Sequence, residues 1–380
     1  MKFYGIKRLV FLTFILTLLS GFSIRLQAED IKTLEIGASA PDFSLPGIDG
    51  KTYNLESFNK SEILMIVFTA NHCPTAQAYE DRILKIYYDY HEKGLGIVLV
   101  SPNNPEALCL EEIGYSDLGD SFEEMKIRAA DLKLPMPYLY DGGNQEMAKA
   151  YGPVTTPHVF IFDKERKLRY CGRIDKMENP YEKPTEHDAR NAIDALLAGT
   201  KVPVEKTKTF GCSVKWASKK EWKEKLDTDW KNKLVEIQEA DLETIKEIVA
   251  NKTDVYRLVN IWATWCGPCV IEFPEFVEIQ RMYGGRNFEF VSISTDGIKK
   301  KEKALEFLQS KNAATKNYLY SGEDKYALIE AIDKNWQGPI PYTMLIAPGG
   351  EIVFSHQGII DPLQVKKAVV KEIGRFFADD

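Results

Sequence analysis

Apolar positions along the chain recur in one order twice. Ile63–Phe68 is an unbroken apolar run, the pattern of a strand buried on both faces. It leads into Asn71-His72-Cys73-Pro74, and a helical pattern follows over about 75–92. Residues 96–100 predict another buried strand, so strand, helix and strand make a parallel unit. Further on, Thr156-Pro157 stands before a strand over His158–Phe162. The second copy runs through a strand at Tyr256–Trp262, a turn at Cys266, a helix to about Tyr283, a strand at Phe288–Ser294, and Ile340-Pro341 ahead of Tyr342–Ile346. Such self-similarity predicts a tandem repeat of one fold. The longer cysteine-to-proline stretch of the first copy is absorbed by a loop insertion such as 103–119.

What flanks each copy differs. Residues 40–55 predict a hairpin with a tight turn at Asp49-Gly50. The second copy is led in by residues 234–238, then Asp241 as a helix cap and an amphipathic helix to about Asn251. Between them, 218–233 is rich in Lys, Glu and Trp and reads as a solvated connector helix. The expected organisation is a first domain over 30–216, a connector helix over 217–233 and a second domain over 234–380.

Residues 1–28 read as a signal peptide. Lys2, Lys7 and Arg8 give a positive start, 9–19 is apolar apart from threonines, and Leu26-Gln27-Ala28 offers small-residue cleavage before Glu29. The apolar stretch falls short of the ~18 to 20 residues a membrane span wants. The protein is therefore expected to be exported and extracytoplasmic, in the periplasm.

A formal net charge of -7 over 380 residues argues against nucleic acid as a partner, because that affinity rests on an excess of Lys and Arg over phosphates. Six cysteines are too few to be a disulfide scaffold for a chain of this size, so their positions carry the meaning.

Two of them form Trp265-Cys266-Gly267-Pro268-Cys269. Disulfide exchange needs a thiol that ionises readily and a second one close enough to resolve the mixed disulfide. At the start of a helix, Cys266 meets the positive end of the helix dipole and unpaired amides, and is the expected attacker. Cys269, within the first turn, is the expected resolver, and Pro268 suits an early helix position. Half of a zinc site is the alternative, but it needs two more ligands and the second domain offers only His356. No metal and no cofactor are expected.

The segment Val259-Asn260-Ile261-Trp262-Ala263-Thr264-Trp265-Cys266-Gly267-Pro268-Cys269 with Glu272-Phe273-Pro274 resembles the TlpA and ResA branch of the thioredoxin superfamily. The resemblance spans about 235–373. It implies an α/β fold of two tandem thioredoxin-like domains, each a central mixed sheet flanked by helices. It also implies that Glu272 is a buried carboxylate exchanging protons with the cysteines and that Pro341 is a cis-proline. A kinked Ile340-Pro341 would let the Ile340 backbone pair with an extended client peptide, with Trp265 as an apolar lip. Relatives commonly serve cytochrome c maturation, so the implied partners are proteins with disulfides and a membrane thiol-disulfide electron donor.

In the first copy Cys73 aligns with Cys266, while Ala76 takes the place of Cys269, so the motif lacks a resolving thiol. Residues 40–55, the Asn71-His72-Cys73-Pro74 turn and Phe210-Gly211-Cys212-Ser213-Val214-Lys215-Trp216 together resemble a peroxiredoxin-like redoxin family over about 36–216. The peroxiredoxin PxxxTxxC pattern is not kept, since Ile66 and Ala70 stand where proline and threonine belong. Cys73 is thus a redox thiol resolved by a cysteine such as Cys212, a metal ligand with His72, or a buried packing residue. Disulfide connectivity among Cys109, Cys171 and Cys212 is open. His91, His158 and His187 are assigned no chemistry. The leading expectation is an exported thiol-disulfide oxidoreductase that reduces or isomerises protein disulfides. A peroxidase relay through Cys73 and a first domain that only binds clients are the alternatives.

Overall fold

The computed structural model describes residues 31–177, 179 and 182–376; the expected signal peptide lies outside them. The Ile63–Phe68 run is buried at every position because it is the middle strand of a five-stranded sheet. The order across that sheet is Tyr138–Tyr140, Leu95–Ser101, Ile63–Phe68, His158–Phe162 and Leu168–Gly172. The first three strands are parallel, His158–Phe162 runs antiparallel to them, and Leu168–Gly172 runs antiparallel to His158–Phe162, a mixed sheet. Alternate residues serve opposite faces: Met65 and Val67 join one apolar cluster, Leu64, Ile66 and Phe68 the other. Each such side chain contributes roughly 1.5–3 kcal/mol on burial.

The second half repeats the plan with six strands, in the order Gln238–Ala240, Lys316–Tyr320, Phe288–Ser294, Tyr256–Trp262, Tyr342–Ile346 and Ile352–Gln357. Leu258 and Trp262 face the cluster beneath the long helix Gly267–Tyr283, and Val259 and Ile261 face the other side. Asp241 caps the preceding helix Leu242–Ala250 by accepting from the Thr244 amide at 2.9 Å. The expected hairpin is present, with Ser44–Pro46 paired to Thr52–Asn54 and Gly50 at φ +80°, where a side chain would be strained.

Two expectations are corrected. The helix expected over 75–92 is divided into Pro74–Ala78 and Glu80–Tyr90, because the Tyr79 amide bonds back to Ala76 O in a tighter turn. Its hydroxyl is pinned by Asp175 Oδ1 at 3.0 Å. The insertion at 103–119, read as a loop, is a bridge between the two halves. Leu108 and Ile113 pack into the core of the second half with Phe276 and Met282. Tyr283 Oη donates to Ser116 O at 2.8 Å and Arg286 Nη1 to Gly114 O at 2.9 Å. A Cβ on Gly114 would lie 2.9 Å from Met282 O, so only glycine fits this approach. The helix Lys220–Lys231 also docks, through Trp230 Nε1 to Asn312 O at 2.9 Å and Asp227 to Arg281 at 2.7 Å. From Ile31 onward the chain is one compact unit. Among the described residues no helix is long and apolar enough to cross a membrane.

Candidate functional site

The strand Tyr256–Trp262 ends in a short loop whose geometry is set by Asp296. That carboxylate accepts from the Thr264 amide at 2.8 Å, the Thr264 hydroxyl at 2.6 Å and the Ser294 hydroxyl at 2.9 Å. The loop delivers Cys266 as the N-cap of the Gly267–Tyr283 helix, with Pro268 in its first turn. Cys266 and Cys269 are joined in a disulfide, with Cα atoms 5.3 Å apart. Cys269 is fully buried and Cys266 nearly so. The Cys269 amide donates to Cys266 Sγ at 3.2 Å. When the bond is reduced, that amide and the helix dipole favour a thiolate on Cys266.

Glu272 lies one turn beyond Cys269 on the same helix face. It is only 3% exposed. Oε1 accepts from Asn260 Nδ2 at 3.1 Å and Oε2 from the Ile360 amide at 2.9 Å. Burial raises the carboxyl to about 7 and outweighs those two hydrogen bonds, which act the other way. A carboxyl held there exchanges protons readily at neutral pH. Asn260, which also donates to Thr343 Oγ1 at 3.0 Å, was missed by sequence reasoning. A polar residue inside an apolar strand was the signal that marked it.

The Ile340-Pro341 bond is cis. Pro341 O accepts from the Gly358 amide at 2.9 Å, and strand pairing begins only at Tyr342. Among the described residues no strand pairs with Ile340. Trp265 is 60% exposed, an apolar surface next to Cys266.

The first half builds its turn in the same way. Cys73 caps the Pro74–Ala78 helix and accepts from the Ala76 amide at 3.4 Å, and Thr156-Pro157 is cis. The surroundings are more polar. His72 Nδ1 meets Asp120 Oδ2 at 2.6 Å, both fully enclosed. Asp120 also accepts from the amides of Asn71 and His72, at 2.8 and 3.2 Å, and from Asn103 Nδ2 at 2.7 Å. Burial works against both charges, but the pairing prevails and holds His72 up and Asp120 down. Burial also opposes a Cys73 thiolate. The Cys212 thiol, the His72 imidazolium and the Ala76 and Cys212 amides outweigh it and lower Cys73 to about 6. Cys212 packs against Cys73 and is raised, chiefly by its hydrogen bond to Cys73 and then by burial.

Sequence reasoning missed Asp120 and Asn103, because both lie in or beside the insertion and no spacing ties them to Cys73. The four cysteines other than Cys266 and Cys269 are free thiols. Cys171 faces His158 Nε2 at 3.2 Å, and burial pushes its thiol up to about 12. Cys109 is buried and raised to about 11, by burial and then by Glu112. Neither is suited to attack. Among the described residues no three potential metal-ligand side chains cluster.

Known proteins resemble the two halves separately. The AhpC/TSA family profile matches residues 36–171 and the Redoxin profile residues 240–370. Both halves belong to the thioredoxin superfamily. The thiol-disulfide oxidoreductase ResA of Bacillus cereus is 27% identical over 166 residues, 43% of this chain and 86% of the relative. The Oceanobacillus iheyensis ResA is 30% identical over 112 residues, 27% of this chain and 50% of the relative. An uncharacterized conserved protein of Geobacillus kaustophilus is 36% identical, with 49% of this chain and 94% of that one aligned at a TM-score of 0.43. Each thioredoxin-superfamily half thus presents a cysteine at a helix N-terminus and carries a cis-proline ahead of a central strand, and the second half carries the complete CxxC.

Proposed function

We propose that the protein is an exported thiol-disulfide oxidoreductase that reduces or isomerises protein disulfides through Cys266 and Cys269. The observation that carries this reading is the Cys266–Cys269 pair at a helix N-terminus with a buried carboxyl near neutrality one turn away. Relatives named thiol-disulfide oxidoreductase support the activity. The residues 1–28 support export.

In the forward direction the Cys266 thiolate attacks one sulfur of a client disulfide. The client bond breaks, its other sulfur leaves as a thiolate, and a mixed disulfide forms. Cys269 gives its proton to the Glu272 carboxylate and attacks Cys266 Sγ, which releases the second client sulfur. The client gains two electrons and the pair closes. The client strand pairs with the Ile340 backbone, with Trp265 against its side chains. A membrane thiol-disulfide donor returns the electrons. A peroxide-reducing role for the first half is not favoured, since Ala70 stands where that chemistry wants a threonine and Cys73 is fully enclosed.

Turnover of insulin disulfides tests the assignment. The wild-type chain should reduce insulin with a thiol donor, and Cys266→Ser should fall to the uncatalysed rate. Full activity in Cys266→Ser would remove this reading.

A further inference from the structure

The two cis-proline edges are used differently. In the second half the edge at Ile340 carries no partner strand among the described residues. In the first half the matching residues, Thr155–Thr156, pair antiparallel with Cys212–Ser213, and Thr156 stands directly opposite Cys212. The place where a client strand would lie is therefore filled by the chain itself. The fit is close. Gly211 is at φ +128°, and a Cβ there would sit 2.1 Å from Thr156 O and 3.4 Å from Thr75 Cβ. Cys73 Sγ donates to that same Thr156 carbonyl at 3.1 Å, and the Cys212 side chain packs against Cys73, Ala70 and Ala76. Behind them His72 and Asp120 form an enclosed ion pair, and the Lys215 amide donates to Asn103 Oδ1 at 2.8 Å. Asn103 also binds Asp120, so the residues that follow Cys212 are tied to the group that charges the Cys73 turn.

The geometry points to a second redox couple, Cys73 with Cys212, in which the segment around Cys212 occupies the client position of its own domain and supplies the resolving sulfur that Ala76 lacks. The couple exchanges with thiol donors. Cys73 is fully buried whereas Cys212 is half-buried, so a donor thiolate attacks the disulfide at Cys212 Sγ. The Cys73–Cys212 bond breaks and its electron pair leaves on Cys73 as a thiolate, facing the Ala76 amide and the His72 imidazolium. A second thiolate, of the same dithiol or of another monothiol, attacks the donor sulfur on Cys212. A donor disulfide forms, and Cys212 departs with the pair and takes a proton. Two electrons enter the couple for each donor disulfide made, and the reverse steps close it with a disulfide compound. A stable leaving thiolate speeds the opening of such a bond. His72 and Asp120 act as positioning residues, since they touch no substrate and work through the charge they hold beside Cys73.

The test uses the full chain carrying Cys266→Ser and Cys269→Ser, so its outcome is independent of the second half's activity. The protein is equilibrated in glutathione buffers of graded ratio, quenched with acid, alkylated and mapped by peptide mass. A Cys73–Cys212 cross-link that appears and disappears reversibly in one transition is the expected result. Both cysteines free at every ratio, or Cys212 joined instead to Cys109 or Cys171, would overturn the proposal. The same mapping on the wild-type chain serves if the double variant does not fold. In the Asp120→Asn variant of that background, the pH midpoint of Cys73 thiolate absorbance should rise by about one unit or more. An unmoved midpoint removes the positioning role of the pair.

Discussion

Replacing Glu272 by glutamine should stabilise the protein above neutral pH while slowing it. A carboxyl raised from 4.5 to about 7 by burial costs the folded state roughly 3 kcal/mol once ionised, at ~1.4 kcal/mol for each pH unit. Because the folded value lies above the unfolded one, the associated stability is complete below about pH 4.5 and is lost as pH rises through about 7. Glutamine carries no charge and escapes this loss. It does give up one acceptor, since its single carbonyl oxygen serves only one of the Ile360 amide and Asn260 Nδ2, at ~1–3 kcal/mol. The variant should therefore be less stable than wild type at about pH 4.5 and more stable at about pH 8, the difference moving by about 3 kcal/mol between them. Urea unfolding of the oxidised chain, followed by circular dichroism across that range, measures it. With no base to take the Cys269 proton, release of client from the mixed disulfide should slow by roughly 10²-fold at about pH 8. A stability difference that stays constant with pH would refute the reasoning, because it would mean the carboxyl titrates in its ordinary range.

Other outcomes follow from single contacts. Gly114→Ala places a Cβ 2.9 Å from Met282 O and should cost about 1–3 kcal/mol as the bridge is pushed off the helix, read as a lower melting temperature; an unchanged melt would mean the bridge yields freely. His158 is kept neutral by burial and then by Lys206, its value lowered to about 3. Its contribution is complete above about 6.5 and is lost as pH falls. His158→Gln should flatten the fall in stability between about pH 6.5 and 4, and an acid unfolding midpoint identical to wild type would contradict that.

How much of this was legible depends on range. Ile63–Phe68 and Tyr256–Trp262 were readable because a strand covered on both faces shows itself as an apolar run, whatever the rest of the chain does. The cysteine turns and the two X-Pro sites were readable because both halves repeat them. The division at Tyr79 was not, since the helical period continues through it and the turn is tightened by the Tyr79 amide bonding to Ala76 O. Nor was the bridge, because the four apolar residues 107–110 and the single Ile113 make too short a stretch to show a period of their own. Asp120 is linked to His72 only through the fold, and a two-residue strand such as Cys212–Ser213 has no signature that a sequence could display. Non-local pairing of this kind is specified by the partner it meets, here Thr155–Thr156.

The two halves solve one chemical problem with the same backbone. Each sets a cysteine on a helix N-terminus where an amide three residues on reaches its sulfur, at 3.4 Å for Cys73 and 3.2 Å for Cys266. Each carries a cis-proline edge, and in the first half its Thr156 carbonyl lies 3.1 Å from Cys73 Sγ. In the second half the other sulfur comes from the same helical turn, and the edge at Ile340, where the proposed client would pair, has no partner strand among the described residues. With alanine in that turn, the first half takes its second sulfur from the strand on the edge, and the edge is then no longer available to another protein. A domain of this fold that completes its couple from the edge gives up strand-paired clients and keeps exchange at a partly exposed sulfur. Adding a cysteine at Ala76 would therefore not turn the first half into a copy of the second, because the Cys212 strand would still cover the place where a client must pair.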